Sequence, residues 1–196
     1  MTEEDFWKDF ELIKKEIDIA IYSYYTWIEI NNYVAINKKI LNSMNKTPMF
    51  WKANLYGLQV SYFMVLGRIF DDGKDCHSIH KFINSCIDNI EYFSYNALEK
   101  RKLSNSEKPD WLDEYMSKAY QPKNQDFYKV KEEIKCHRKK FDDVYKNIRN
   151  DVFGHNTANK TGNTNNLFGK TKFGDLEEML YFLYDLQENI WELFHN

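Results

Sequence analysis

The sequence is short of cysteine, glycine and proline, and each shortage excludes something. Its three cysteines, Cys76, Cys86 and Cys136, form no C-x-x-C pair, so neither a disulfide framework nor a four-thiolate zinc site can be assembled. A reducing cytoplasm is the expected setting. Seven Gly and three Pro in 196 residues leave little to interrupt long helices. Long apolar runs are also missing. The longest uncharged stretch, Ala53 to Gly67, carries Asn54 and Gln59 and is too short to span a bilayer. The first residues alternate acids with apolar side chains and lack the basic start and apolar core of a leader. A soluble, non-exported protein with no membrane contact is expected. Charge of one sign is not in excess: 27 Lys and Arg face 30 Asp and Glu, a net of -3, which rules out a wholly basic coat but not a local basic strip. No glycine-rich phosphate loop, G-x-S-x-G elbow or H-E-x-x-H pair occurs.

What is present reads as one globular domain, with 43% hydrophobic and 29% charged residues. Phe6, Phe10, Ile13, Ile17, Ala20, Tyr24 and Ile28 keep the three-and-four spacing of a long amphipathic helix. A continuation or short second helix through Val34, Ile40 and Leu41 ends near Thr47-Pro48. Met49 to Phe70 is apolar nearly all round, which predicts the central helix of the domain. In it Ala53, Gly57 and Ser61 fall four apart, a stripe suited to close helix packing. Ser78 is placed to cap a short helix carrying Ile79, Phe82, Ile83 and Cys86. Residues 89–120 read as short helices around a polar turn, an insertion or a cap. A strong helix is predicted from about Gln125 to Phe153, followed by a polar loop over 156–173. Asp175 is the expected cap of a last helix with the stripe Leu176, Met179, Leu183, Leu186, Ile190 and Phe194. The expected architecture is an all-α, single-domain bundle over 1–196, of four to five main helices with short extra ones.

Three features invite chemistry and have plainer explanations. Asp72, Asp75, Cys76, His77, His80 and Cys86 lie close together. They match no zinc-finger spacing, and Cys86 belongs to an apolar stripe, so no metal site is assigned. Asp71, Asp72 and Asp75 read as a helix-ending turn more readily than as a hard-cation site. The aromatic run Tyr22 to Trp27 reads as core and interface before it reads as a platform for bases.

One constellation stands apart: Arg149-Asn150-Asp151-Val152-Phe153-Gly154-His155, at the end of the strong late helix. Residues six apart on an α-helix differ by about 240°. Gly154 is expected to release the backbone so that His155 turns toward the Arg149 side. A plainer reading, an Arg at a helix C-terminus followed by a solvated His, stays open. Charge supports a site. Lys131 to Lys172 holds ten Lys or Arg and five Asp or Glu, making this the basic region of an otherwise acidic chain. Lys146 lies on the helix, and Lys160, Lys170 and Lys172 follow in a loop with no acid, a setting for a polyanion.

IRNDVFGH resembles the R-N-x-x-x-[AG]-H form of the R-x(4-6)-H motif of the HEPN superfamily of helical nucleic-acid-processing domains. LGRIFDDG followed by SIHKFI is similar to the abortive-infection, AbiU-like branch. The resemblance implies a metal-independent endoribonuclease of phage defence or a toxin–antitoxin system, without a cofactor. In it a homodimer brings two motifs into one cleft, and an antitoxin or defence-system partner can accompany it. Carried over, Arg149 binds and stabilises the scissile phosphate, His155 is the general acid or base, and Asn150 orients phosphate or His. The position two after His155 is Thr157, where the branch paired with nucleotidyltransferase antitoxins has Tyr, which disfavours control by adenylylation. The alternatives are a non-catalytic HEPN-like module for RNA or nucleotide binding or for dimerisation, and an adaptor whose basic strip is only surface.

Overall fold

The computed structural model describes residues 1–73, 76–103, 108–154 and 164–195. Among these every regular element is helical, the all-α bundle expected. Helix α1 (Glu3–Ile36) opens on a reciprocal cap: the Thr2 hydroxyl accepts from the Asp5 N–H at 3.1 Å, and the Asp5 carboxylate accepts from the Thr2 N–H at 3.4 Å. Its stripe from Phe6 to Tyr24 is buried as the spacing predicts. Asn37 ends α1 and caps α2 (Lys38–Met44), its Oδ1 accepting from the Lys39 N–H at 3.0 Å. Helix α3 (Pro48–Ile69) has Pro48 at its first position, where no N–H is needed. Helix α4 (Ile79–Asp88) buries Ile79, Phe82, Ile83 and Cys86. Ser78 precedes it without making a cap bond, and its buried hydroxyl has no partner among the described residues.

A 3-10 turn (Ile90–Phe93), α5 (Tyr95–Leu103) and α6 (Leu112–Lys118) fill 89–120 outside the undescribed 104–107. They close one end of the bundle. The Phe93 ring lies 5.6 Å from Phe6 and 5.2 Å from Phe127, and the Arg101 guanidinium pairs with Glu3 and sits 4.0 Å over the Phe194 ring. The predicted strong helix is a rod of four parts: α7 (Asn124–Lys140), a π-helical turn (Phe141–Tyr145), α8 (Lys146–Ile148) and a second π-helical turn (Arg149–Gly154). Phe127, Ile134, Phe141, Tyr145 and Ile148 face the core. The expected loop contains α9 (Thr164–Phe168). Helix α10 (Phe173–His195) starts two residues before Asp175, which therefore stands inside the first turn, where its charge faces the positive end of the helix.

Helix α3 departs from its expected central place. Only its second half is buried, at Tyr62, Phe63, Val65, Leu66, Gly67 and Ile69, while Met49 (76% exposed), Phe50 (59%) and Tyr56 (55%) stand in solvent. Helix α1 behaves alike: beyond Tyr24 no residue is buried, and Tyr33 and Ile36 are open. The two halves pair, with the Ser23 hydroxyl donating to Ser61 Oγ at 2.9 Å. Trp27 and Ile28 still pack against the core; at 1.5 Å per residue the eight residues from Glu29 to Ile36 extend about 12 Å past it. The apolar surface that the sequence assigns to a core is an uncovered arm.

Candidate functional site: the Arg149 turn on helix α3

The second π-helical turn holds the motif. A π-turn bonds each residue to the fifth one on, and this one brings Gly154 so close that a Cβ there would stand 3.1 Å from the Arg149 carbonyl oxygen. The glycine serves close approach. Its φ stays out of the left-handed region, and the expected turn of His155 toward Arg149 lies outside the described residues. Phe153 fixes the turn to the bundle, its ring 5.1 Å from Phe63, 5.8 Å from Tyr56 and 6.3 Å from Phe168.

The Arg149 side chain lies across α3 at Gly67. A Cβ on that glycine would be 2.7 Å from Arg149 Nε and 3.0 Å from Cδ, so the absence of a side chain makes the bed in which the arginine rests. Nε is buried with no hydrogen-bond partner among the described residues, and Nη1 donates to Asn150 Oδ1 at 3.1 Å. Asn150 thus orients the guanidinium in this state. One helical turn beyond Gly67, Asp71 Oδ1 accepts from the Gly73 N–H at 2.8 Å. That bond holds the Asp71 carboxyl below its ordinary range, and the Cys76 thiol and the Arg149 charge add to the effect. A row of ion pairs joins the end of α3 to the rod: Asp72 with Arg138, Arg138 with Asp142 at 3.4 Å, and Asp142 with Lys146 at 3.0 Å.

Of the other expected site residues, Lys146 is exposed beside the turn and held by Asp142. Lys172 is exposed and anchored through its backbone, its carbonyl accepting from the Tyr145 hydroxyl at 2.9 Å, one turn before Arg149. Lys170 is exposed after α9. His155 and Lys160, with Thr157, lie outside the described residues. The histidine and cysteine positions separate: His77 Nε2 is 3.4 Å from Asp9, Cys86 is in the core, and Asp75 is outside the described residues. Among the described residues no three such side chains gather for a metal ion. A cleft of about 520 Å³ lies at the other end of the rod between α6, the start of α7 and the end of α10. It is lined by Phe127, Val130, Ile190 and Leu193, and its one cation, Lys118, is paired with Glu114 at 2.5 Å. It has no chemistry for a polyanion.

Gly67 escapes sequence reasoning, because only the fold shows that a glycine on one helix faces an arginine on another, whereas Asp71 stands in the helix-ending turn that the sequence names. A second basic stretch was there to be read. Ile30 to Phe70 contains no Asp or Glu and carries Lys38, Lys39, Lys46, Lys52 and Arg68, so the motif region is one of two basic regions.

The family model HEPN_AbiU2, described as AbiU2, matches residues 3–196. No curated protein and no solved structure matches the chain.

Proposed function

Because the chain belongs to the HEPN_AbiU2 family, we propose that it is a HEPN-type, metal-independent endoribonuclease of abortive infection or a toxin–antitoxin system. The observation that carries this reading is the Arg149 guanidinium, held over Gly67 and oriented by Asn150 beside Lys146 and Lys172. RNA supplies its own nucleophile. His155 takes the 2′-OH proton, the 2′-oxygen attacks the adjacent phosphorus, and the 5′-oxygen leaves with a proton, giving 2′,3′-cyclic phosphate and 5′-hydroxyl ends. Arg149 stabilises the charge that grows on the phosphoryl oxygens as attack proceeds. Lys146, Lys160, Lys170 and Lys172 hold the neighbouring phosphates. Two copies of the chain form the working unit, with two motifs facing one cleft.

A specific observation favours a second reading, a non-catalytic RNA- or nucleotide-binding or dimerisation module: Arg149 is packed and already bonded by Asn150, as a structural arginine would be. Incubation with single-stranded and loop RNA in EDTA separates the two. The expected result is cleavage with cyclic or 3′-phosphate ends. His155→Ala should bind RNA nearly normally and fail to cut, and Arg149→Lys, which keeps charge but loses the planar fork, should lose about 10²-fold in rate. Loss of cleavage on chelation, restored by Mg²⁺ or Mn²⁺, overturns the mechanism. Salt-sensitive binding without cleavage of any RNA moves the assignment to the second reading.

A further inference from the structure

We infer that the uncovered half of helix α3 is a single-stranded RNA tract that leads into the Arg149 turn, with Lys52 and Tyr56 as its binding residues. The inference rests on the proposed action on RNA, and it names a surface that the motif does not include.

One face of α3 meets the π-helical turn at three successive levels: Tyr56 and Phe63 touch Phe153, and Gly67 lies under Arg149. These positions are spaced by seven and four, one side of a helix. Continued toward the amino terminus, that side presents Lys52 and then Met49, four and seven residues before Tyr56. Both are exposed. Phe63 and Gly67 are buried beneath the turn, so the open part of this face runs from Met49 to Tyr56 and ends against the turn. Lys52 is fifteen residues from Gly67, about 22 Å along the axis, so a strand that lies on the open part and continues over the turn spans several nucleotides between the lysine and Arg149.

The chemistry of the face selects its occupant. Tyr56 is 55% exposed, and its ring is held edge-on to Phe153 at 5.8 Å, which leaves a braced ring on which a base can stack. Lys38, Lys39, Lys46 and Lys52 form no ion pair among the described residues, whereas Arg68, at the buried end, is taken by Glu16 at 2.6 Å. The arm therefore offers unpaired positive charge, in a stretch with no acid from Ile30 to Phe70. A second copy docked here arm against arm would oppose like charges. A polyanion with planar, apolar bases matches both the lysines and the rings. Base faces in a duplex are already stacked on their neighbours and closed to such a platform, so the fit is to a single strand.

The test is fluorescence anisotropy with a labelled 2′-O-methyl oligouridine twelve-mer, which binds as RNA does but has no 2′-hydroxyl to attack. Binding is thereby read apart from cleavage. Lys52→Gln should weaken binding several-fold at low salt and reduce the magnitude of the log–log salt slope by about 0.7, one phosphate contact on a single strand. Tyr56→Ala should weaken it about 5-fold or more with the slope unchanged. Lys15→Gln, on the exposed side of α1, should change neither. The inference is overturned if Lys52→Gln behaves as Lys15→Gln does, or if a twelve-base-pair duplex binds as tightly as the single strand. It is also overturned if sedimentation shows that Lys52→Gln and Tyr56→Ala act by changing the oligomeric state, which would make the arm an interface between copies. Cleavage that fails while the tract still binds sinks the nuclease reading alone. Cleavage that proceeds with no effect of Lys52 or Tyr56 on binding or turnover sinks the tract alone.

Discussion

Gly67 is the residue on which the site geometry turns. Alanine there gains about 0.5–1 kcal/mol of helix propensity, but its Cβ would enter the space of Arg149 Nε and Cδ. The flexible side chain gives way, not the backbone. Gly67→Ala should therefore leave the thermal midpoint within a few degrees of wild type or above it while RNA cleavage falls toward the level of Arg149→Lys. A variant with full activity would show that the resting place of Arg149 is irrelevant to the chemistry. Three histidines contribute to the pH dependence of stability. Burial holds the His137 imidazole below its ordinary value of 6.5, and its ring stacks on Phe182 at 4.3 Å with Nδ1 unpartnered among the described residues. His80 and His195 are displaced in the same direction, first by burial and then by neighbouring Lys and Arg. Below 6.5 the unfolded chain binds protons that the folded one resists, so this stability is present above 6.5 and is lost as pH falls through the folded values. Melting at pH 8 and 5.5 should show the fall, and His137→Phe, which keeps the stacked ring, should lessen it. An equal drop in the variant would remove His137 from the account. Of the motif, Asn150 Oδ1 accepts from Arg149 Nη1, whereas His155 lies outside the described residues. Gly67 was not legible, because the reason for a glycine is the side chain that lies against it.

At the scale of elements, a helix was legible where it packs on one side only. The stripes of α4 and α10, and that of α1 as far as Tyr24, are buried at the positions their spacing names, since the water–core boundary and the 3.6-residue period agree there. Helix α3 misled because an apolar side chain has the same identity in a core and on an exposed face. The two π-helical turns left no sign in composition, because a π-turn alters the hydrogen-bond step and not the choice of residues. Those turns and α8 set the row Arg138, Asp142 and Lys146, in which Asp142 neutralises cations on both sides. The pairs are partly exposed, so their contribution to stability is small, below about 1 kcal/mol. Their effect on the field is larger. Asp142→Asn should tighten binding of single-stranded RNA and steepen its salt dependence, with little change in melting temperature, because Arg138 and Lys146 then face the ligand with one anion fewer. Unchanged affinity at low salt would place this row outside the RNA path.

At the scale of the whole molecule, two of the faces that expose aromatic side chains differ in charge. The arm is basic. Helix α10 carries exposed Tyr181 (66%), Tyr184 (47%) and Trp191 (39%), spaced by three and seven along one face, among Glu177, Asp185, Glu188 and Glu192. An acidic face repels RNA, so its aromatic side chains are left for protein. Trp27, the other aromatic expected at an interface, is partly spent on Tyr62 and Phe173, with ring distances of 6.3 and 6.2 Å. Trp191 is therefore the residue of this face to test as the anchor of a contact between copies. Sedimentation should give a dimer for the wild-type chain, and Trp191→Arg should shift it to monomer with its helical circular dichroism intact. If the site is composite, activity per chain should fall on dilution through the dissociation constant, and Trp191→Arg should lie on the same dilution curve at its own, weaker constant. A monomeric Trp191→Arg with full activity would mean that one chain holds a complete site, and the second motif would then have no part in the chemistry.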